Sequence, residues 1–392
     1  MGIVGGALQG IEAAYLSRKA GYETLVLDRR EDAPARSLAD SSVTVDVAED
    51  PEAALRILSG CDAVIPALEN MPALRALDSV RDRLPCPLLF DMQAYSVSSS
   101  KQRSNEIMTE IGVPLPRSWP ECGFPAVVKP SCQSGSVGVT VAGSEEEVGP
   151  ALQRVYDLGD TPVVQEFVCG KSISIEAIGA GSRATAYVTT EVVLDRGYDC
   201  KRVLCAPGIL DGEQEVAFGM AAKKVAECIG LRGIMDMEAI LGRRGLRVLE
   251  IDARIPSQTP ACVLAGSGIN LLTELCLAAS GKGSRARNAR RCATYEHLWV
   301  HDGVVEETGE GQFSRVRNPR VECGLFGADE AITDYEPGKT EWRGTFINSA
   351  GSMEELNAKR SAFAVNVLKE CRLDRYVGSS PEVMRRPGSP VR

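Results

Sequence analysis

LRVLEIDARIPSQTP, residues 246–260, decides the reading of this chain. It opens with the alternating apolar side chains of a strand. It then sets Glu250 and Asp252 two residues apart, adds Arg254, and runs into Ser257, Gln258 and Thr259 between two prolines. Strand side chains alternate with period two, so Glu250 and Asp252 share a face. Upstream, IMDMEAIL (234–241) puts Asp236 and Glu238 on one face of a second strand, and Gly242 and Gly245 bound the turn between the two. In a bulged glycine hairpin, Glu238 lies opposite Glu250. Directly opposed carboxylates repel, and a divalent cation relieves the conflict. Hard oxygen ligands with room left for phosphate suit Mg²⁺. A solvated acidic sheet face would use the same residues, so the surrounding segments must decide.

Those segments supply phosphate-binding chemistry. AVVKPSCQSGSVGV (126–139) ends a strand with Lys129 and follows it with Ser131, Ser134, Gly135, Ser136 and Gly138. The backbone N–H groups of such a loop can close on phosphate oxygens, with the lysine as a point charge beside them. The lysine precedes the loop, which is not the P-loop order. VVQEFV (163–168) is a further strand, and Lys101 begins a helix behind a run of serines. Residues 1–28 read strand, glycine turn, helix, strand, a βαβ unit. Asp28 ends the second strand, where a dinucleotide site keeps its acid, but Gly5, Gly6 and Gly10 lack the Gly-x-Gly-x-x-Gly spacing. SVTVDV, CDAVIPAL and CPLLFD add short strands.

The pattern predicts a mixed α/β chain, α+β overall, in four parts. These are a parallel α/β domain over 1–95, a subdomain with the phosphate loop over 96–180, and one with the carboxylate hairpin and a β-rich extension over 181–375. A disordered tail is expected over 376–392. With 392 residues, 44% hydrophobic and 25% charged, the chain has a globular composition. A net charge of −9 argues against nucleic acid or an anionic membrane as partner, and no run of 18 apolar residues is present. The N-terminus lacks the basic leader of a signal peptide. Thirteen scattered cysteines form no Cys-x-x-Cys pair, so they read as reduced thiols in a cytoplasmic protein. The two histidines, His297 and His301, lie in an alternating strand-like segment, which makes histidine catalysis and a metal pair improbable readings.

The order lysine–glycine loop, VVQEFV, then a hairpin ending Glu-x-Asp-x-Arg resembles the ATP-grasp superfamily over residues 1–285. The Glu238–Glu250–Asp252–Arg254 spacing is similar to the biotin carboxylase and carbamoyl phosphate synthetase branch. Asp252 stands where that branch usually has asparagine, and remains an oxygen ligand. The resemblance implies an ATP-grasp fold with an N-terminal domain in front, and an ATP-dependent ligase forming a C–N bond with ADP and phosphate as products. It implies that Lys101 and Lys129 contact nucleotide phosphates under a flap of Ser134, Gly135 and Ser136. Gln165, Glu166 and Val168 would form the adenine hinge. Glu238, Glu250 and Asp252 would hold Mg²⁺, two ions in all, and Arg254 would stabilise an acyl-phosphate and its transition state. The acid that usually grips ribose falls near Ser172, which leaves that contact in question; Glu176 is too far along. GGALQG, IPALEN, YDCKR, EIDARIPSQTP, YEHLWVHDG and ITDYEPG together resemble a narrower group that joins two amino acids. That likeness implies small-molecule substrates bearing ammonium groups, hence carboxylates in the pocket. Glu69 is the first candidate, with Asp199, Lys201, Arg202, Ser257, Gln258 and Thr259 for the amino-acid ends. A ligase for a different amino-acid pair would carry the same set.

Overall fold

The computed structural model describes residues 1–282 and 288–381. Four parallel strands, in the spatial order Ser41–Thr44, Leu25–Asp28, Gly2–Val4 and Val64–Pro66, form the N-terminal sheet. Helix Leu8–Lys19 starts directly after the glycine turn. Gly5 has φ +105°, and a Cβ on it would fall 2.5 Å from the Ala67 carbonyl oxygen, so the turn requires glycine. The CPLLFD segment makes a single bridge, Leu88 to Val64, where a strand is expected. Pro85 and Pro87 there have no N–H to donate to a ladder.

A small antiparallel sheet, Thr140–Ala142, Ala126–Pro130 and Pro162–Glu166, carries the phosphate-loop segment between its first two strands. An eleven-stranded sheet holds the rest. One end runs Gly245–Asp252, Arg232–Gly242, Gly170–Ala180, Ala184–Leu194 and Cys200–Cys205. Gly170–Ala180 pairs with Arg232–Gly242 along its whole length, so it sits in the large sheet and not with the phosphate loop. Cys292–His301 and Trp342–Ala350 continue the sheet. Val304–Glu307 pairs with Cys292–His301 on one side and, in parallel, with Arg375–Gly378 on the other. The expected disordered tail therefore begins too early, since residues 375–378 are a strand; its portion 382–392 lies outside the described residues. Among the described residues no single helix is long and apolar enough to cross a membrane.

One buried acid joins the N-terminal unit to the large sheet's helices. Glu12, fully buried on helix Leu8–Lys19, accepts a 2.6 Å hydrogen bond from Ala261 N in the first turn of helix Thr259–Ser267. Burial pushes its carboxyl from 4.5 up to about 8, against the backbone hydrogen bond that pulls it down. The folded protein thus holds a proton that the unfolded chain releases above its ordinary value. Stability from this group is fully present below pH 4.5 and is lost as pH rises toward 8, by at most about 1.4 kcal/mol per pH unit. Glu12→Gln keeps the acceptor and removes the titration, so its urea-unfolding free energy should fall less than wild type's between pH 5 and pH 8. Parallel curves would show Glu12 ionised in the native state.

Candidate active site

The hairpin's geometry turns on one extra residue. Gly242 pairs with Gly245 and Ala239 with Val248, but Glu238 pairs with Glu250 and Asp236 with Asp252. Leu249 is the bulged residue. Without it Glu238 would face Leu249, because a one-residue slip flips side chains to the opposite face. The bulge also frees the Leu249 carbonyl oxygen, which Lys129 Nζ reaches at 3.2 Å. Lys129 is 6% exposed, and burial pulls its pKa below the ordinary lysine value. Ser100 caps helix Lys101–Glu110 and so fixes Lys101 at its first position. The Lys101 ammonium lies 3.0 Å from Glu250 and donates to the Gln133 carbonyl at 2.7 Å.

Two cavities share this row of carboxylates. One, of about 450 Å³, is lined by Lys101, Lys129, Ser134–Ser136, Gln165, Glu166, Val168, Ser172, Glu238 and Glu250. Val127, Val137, Val139, Ile173, Val192 and Ile240 make it mostly apolar. Phosphate-facing cations at one end of an apolar slot match a nucleotide. The Glu166 carboxylate is held by Arg117 and Arg244, each at 3.0 Å, and its backbone N–H donates to the Arg117 carbonyl at 2.8 Å. Gly135, Ser136 and Gly138 all have positive φ in the loop above, as a tight flap needs. Ser134 Oγ donates to Glu69 at 2.6 Å and Ser136 Oγ to the Tyr198 carbonyl at 3.2 Å.

The second cavity is lined by Glu69, Asp199, Asp236, Glu238, Glu250, Asp252, Arg254, Ser257, Gln258, Thr259 and Glu310. Arg254 lies 2.5 Å from Glu69 and 3.0 Å from Asp252. Burial raises Glu69, but the Arg254 charge and hydrogen bonds from Ser134 and Gln9 outweigh it and leave it below its usual value. Asp199 is raised by burial and accepts from Gly311 N at 2.9 Å. Glu310 was not singled out from sequence. It accepts from Ser257 Oγ at 2.9 Å and Gln258 Nε2 at 2.5 Å, and burial with Asp199 nearby raises its pKa. No periodicity marks it; only the return of the chain after Val304–Glu307 brings it here.

Two expectations are corrected. Arg202 does not line the cavity. Its guanidinium lies 3.7 Å from Glu307 and 3.9 Å from Glu296, in a cluster completed by Arg360 and Lys201. Lys201 lies 2.9 Å from Glu307 in the same cluster. Arg202 pairs directly opposite Glu296 in the regular register with strand Cys292–His301, and the irregularity between Cys200 and Arg202 allows its neighbour Lys201 to reach the same cluster. Glu176 faces Asp236 across the sheet, far from a ribose role, and burial pushes it up to about 7. The dinucleotide reading also loses its acid, because Asp28 accepts from the turn's own Gly6 N at 2.6 Å.

The residues suit a phosphate-bound cation better than a self-sufficient metal cage. Among the described residues no three His, Cys, Asp or Glu side chains converge on one point. Mg²⁺ is commonly held by one or two carboxylates together with phosphates and water. Burial and the Glu250 charge push Glu238 up to about 7, and burial raises Asp252 to about 6 against Arg254. Oδ1 of Asp236 and of Asp252 are buried with no hydrogen-bond partner. Acids buried and crowded in this way hold protons more readily than usual, and a cation can take the place of those protons. Glu238→Gln should therefore stabilise the ligand-free protein by about 1 kcal/mol while abolishing Mg²⁺-dependent turnover. Denaturation with a chelator present and phosphate release with ATP check the two halves; lower stability would show that Glu238 is already compensated.

A family model described as an ATP-grasp domain matches residues 98–258. The chain is 40% identical over 312 residues to the 3-methyl-D-ornithine–L-lysine ligase of Methanosarcina acetivorans, covering 79% of this chain and 82% of that one. Identity to the ligase of the same name from Methanosarcina barkeri is 37% over 379 residues, 94% and 97% of the two chains. Among solved structures, a biotin carboxylase–ATP complex from Campylobacter jejuni superposes with TM-score 0.74 at 14% identity, over 94% of this chain and 91% of that one. An N5-carboxyaminoimidazole synthetase from Staphylococcus aureus, complexed with ADP, gives 0.68 at 17%, over 92% and 96%. The chain belongs to the ATP-grasp ligases, in the family of the 3-methyl-D-ornithine–L-lysine ligases.

Proposed function

We propose that this protein uses ATP to activate the carboxylate of (3R)-3-methyl-D-ornithine and joins it to the ε-amine of L-lysine, in the cytoplasm, as a step of pyrrolysine biosynthesis. The observation that carries the reading is the pair Glu238 and Glu250, shared by an apolar cleft suited to a nucleotide and a carboxylate-rich cavity that also holds Asp252 and Arg254. A carboxylate is a poor electrophile until it is phosphorylated. Lys101 and Lys129 would hold the phosphates in line, and Arg254 would meet charge developing on the transferred group. Mg²⁺, held by one or two of Glu238, Glu250 and Asp252 together with phosphate oxygens, would neutralise phosphate charge. The flap residues Ser134, Gly135 and Ser136 would exclude water from an acyl-phosphate. Glu69, Asp199 and Glu310 would take the ammonium groups, with Ser257, Gln258 and Thr259 orienting the amino-acid ends. With Arg202 bound in an ion cluster, lysine's α-carboxylate must meet a different cation. No protein nucleophile is needed, and His297 is fully buried with Nδ1 2.6 Å from Thr345 Oγ1.

The test is phosphate release with ATP, Mg²⁺ and L-lysine, with and without 3-methyl-D-ornithine, with products weighed by mass spectrometry. One amide per ADP is expected. ADP formation only with another amino-acid pair would keep the ligase and discard these substrates; no turnover with any pair would discard both.

Arg254→Lys should lower kcat by roughly 10²–10³-fold, the scale for losing one charge-stabilising donor. Glu69 and Asp252 meet the same guanidinium nitrogen, Nη2, and a lysine there would lack the planar fork that pairs with a carboxylate or phosphate. Nucleotide affinity should be nearly unchanged. A loss of ADP binding as large as the loss of turnover would place Arg254 in nucleotide binding instead.

A further inference from the structure

The nucleotide cleft has a wall from a remote part of the chain. Ser380 and Pro381 line it beside Val192, Leu194 and Tyr198, with the flap's Val137 and Val139 also on the lining. What brings them there is an ion network that the ligase mechanism does not use. Strand Arg375–Gly378 runs parallel to Val304–Glu307, and Tyr376 donates to Glu307 at 3.2 Å and Glu296 at 3.4 Å. The next residue is an anchor. Lys201, whose side chain is 5% exposed, is shared between Glu307 at 2.9 Å and the Ser379 carbonyl oxygen. Ser379 Oγ also accepts from Arg196 N at 3.3 Å. A buried ammonium must have its donors satisfied, so the Ser379 backbone serves as one of its ligands. Gly378 lets the chain pass, since a Cβ there would lie 3.2 Å from Glu307 Oε2. Burial raises Glu307, but hydrogen bonds and the Lys201 and Arg202 charges bring it down to about 2. The anchor therefore stays ionised at any working pH.

We propose that Lys201 and Glu307 pin Ser379 so that Ser380 and Pro381 close one side of the nucleotide cleft, making Lys201 a positioning residue for ATP. This rests on the nucleotide-cleft reading above. It accounts for the two cations of the YDCKR segment differently from substrate recognition: they organise the cleft wall and not the amino-acid pocket.

Three variants of the full chain test it: deletion of residues 379–392, Lys201→Met, and the double change Ser380→Gly with Pro381→Gly, which leaves the anchor in place. ADP affinity is measured by calorimetry, with KM for ATP and for each amino acid and the melting temperature alongside. The deletion and Lys201→Met should weaken ADP binding and raise KM for ATP by roughly tenfold, equivalent to about 1.4 kcal/mol. The amino-acid KM values should stay put, and Lys201→Arg should recover part of the loss. The glycine pair should give the same direction with an unchanged melting temperature, which separates wall from fold. Unchanged ADP affinity in the deletion and in the glycine pair overturns the proposal, as does a parallel rise of all KM values. A wild-type protein that binds no ADP overturns the nucleotide reading itself.

Discussion

A single extra residue, Leu249, sets the chemistry of the site. The two-residue turn between Gly242 and Gly245 fixes the hairpin register at its closed end, and with that register alone Glu238 would lie opposite an apolar side chain. The bulge moves the register by one, bringing four acids into two opposed pairs on one face. The same irregularity frees the Leu249 carbonyl that Lys129 reaches from the small sheet. Carboxylate alignment and one phosphate-facing lysine thus depend on one local departure from regular pairing.

The cost of that alignment is visible in the charge arrangement. Two cations rest on the acids: Lys101 on Glu250, and Arg254 on Glu69 and Asp252. Such contacts lower the penalty of burying carboxylates, yet Asp236, Glu238 and Asp252 are still raised above their ordinary values. Ligand binding then exchanges internal pairs for phosphate and cation contacts. This is a pre-formed polar environment of the sort that stabilises developing charge, already oriented before the reaction.

Much of this was legible in the sequence, for identifiable reasons. The acids stand two apart on strands, so period two placed them on one face; the opposed pairing was expected from a bulge at the glycine turn, whereas that turn is regular and the bulge lies at Leu249. The lysine–glycine loop and Lys101 were legible because the chemistry needs cations and flexible backbone at the ends of elements. What failed was long-range or irregular. Arg202 reads as a partner for substrate because it follows Asp199, but strand pairing sets it opposite Glu296 and near Glu307, acids roughly a hundred residues on. Glu310 reaches the cavity only through the path of the β-rich extension, and nothing in EETGEGQF announces it. The tail strand was missed because Arg-Tyr-Val-Gly is too short to show alternation, and its pairing partner lies at Val304–Glu307.

The fold alone would not choose the substrates. Biotin carboxylase and N5-carboxyaminoimidazole synthetase share this architecture at 14% and 17% identity, and one fold carries many chemistries. The choice lies in the cavity's charge. Glu69 lies 2.5 Å from the cavity's single arginine, and Asp199 and Glu310 line the same cavity. A substrate that were only an anion would meet three acids there. One that presents a carboxylate toward Arg254 and ammonium groups toward Glu69, Asp199 and Glu310 would meet both signs of charge there. Diamino acids have that charge pattern, and a second amine held by the same acids would be kept close to the activated carbonyl. The excess of carboxylate over cation in this cavity is the feature that would favour an amino acid bearing ammonium groups over a simple anion.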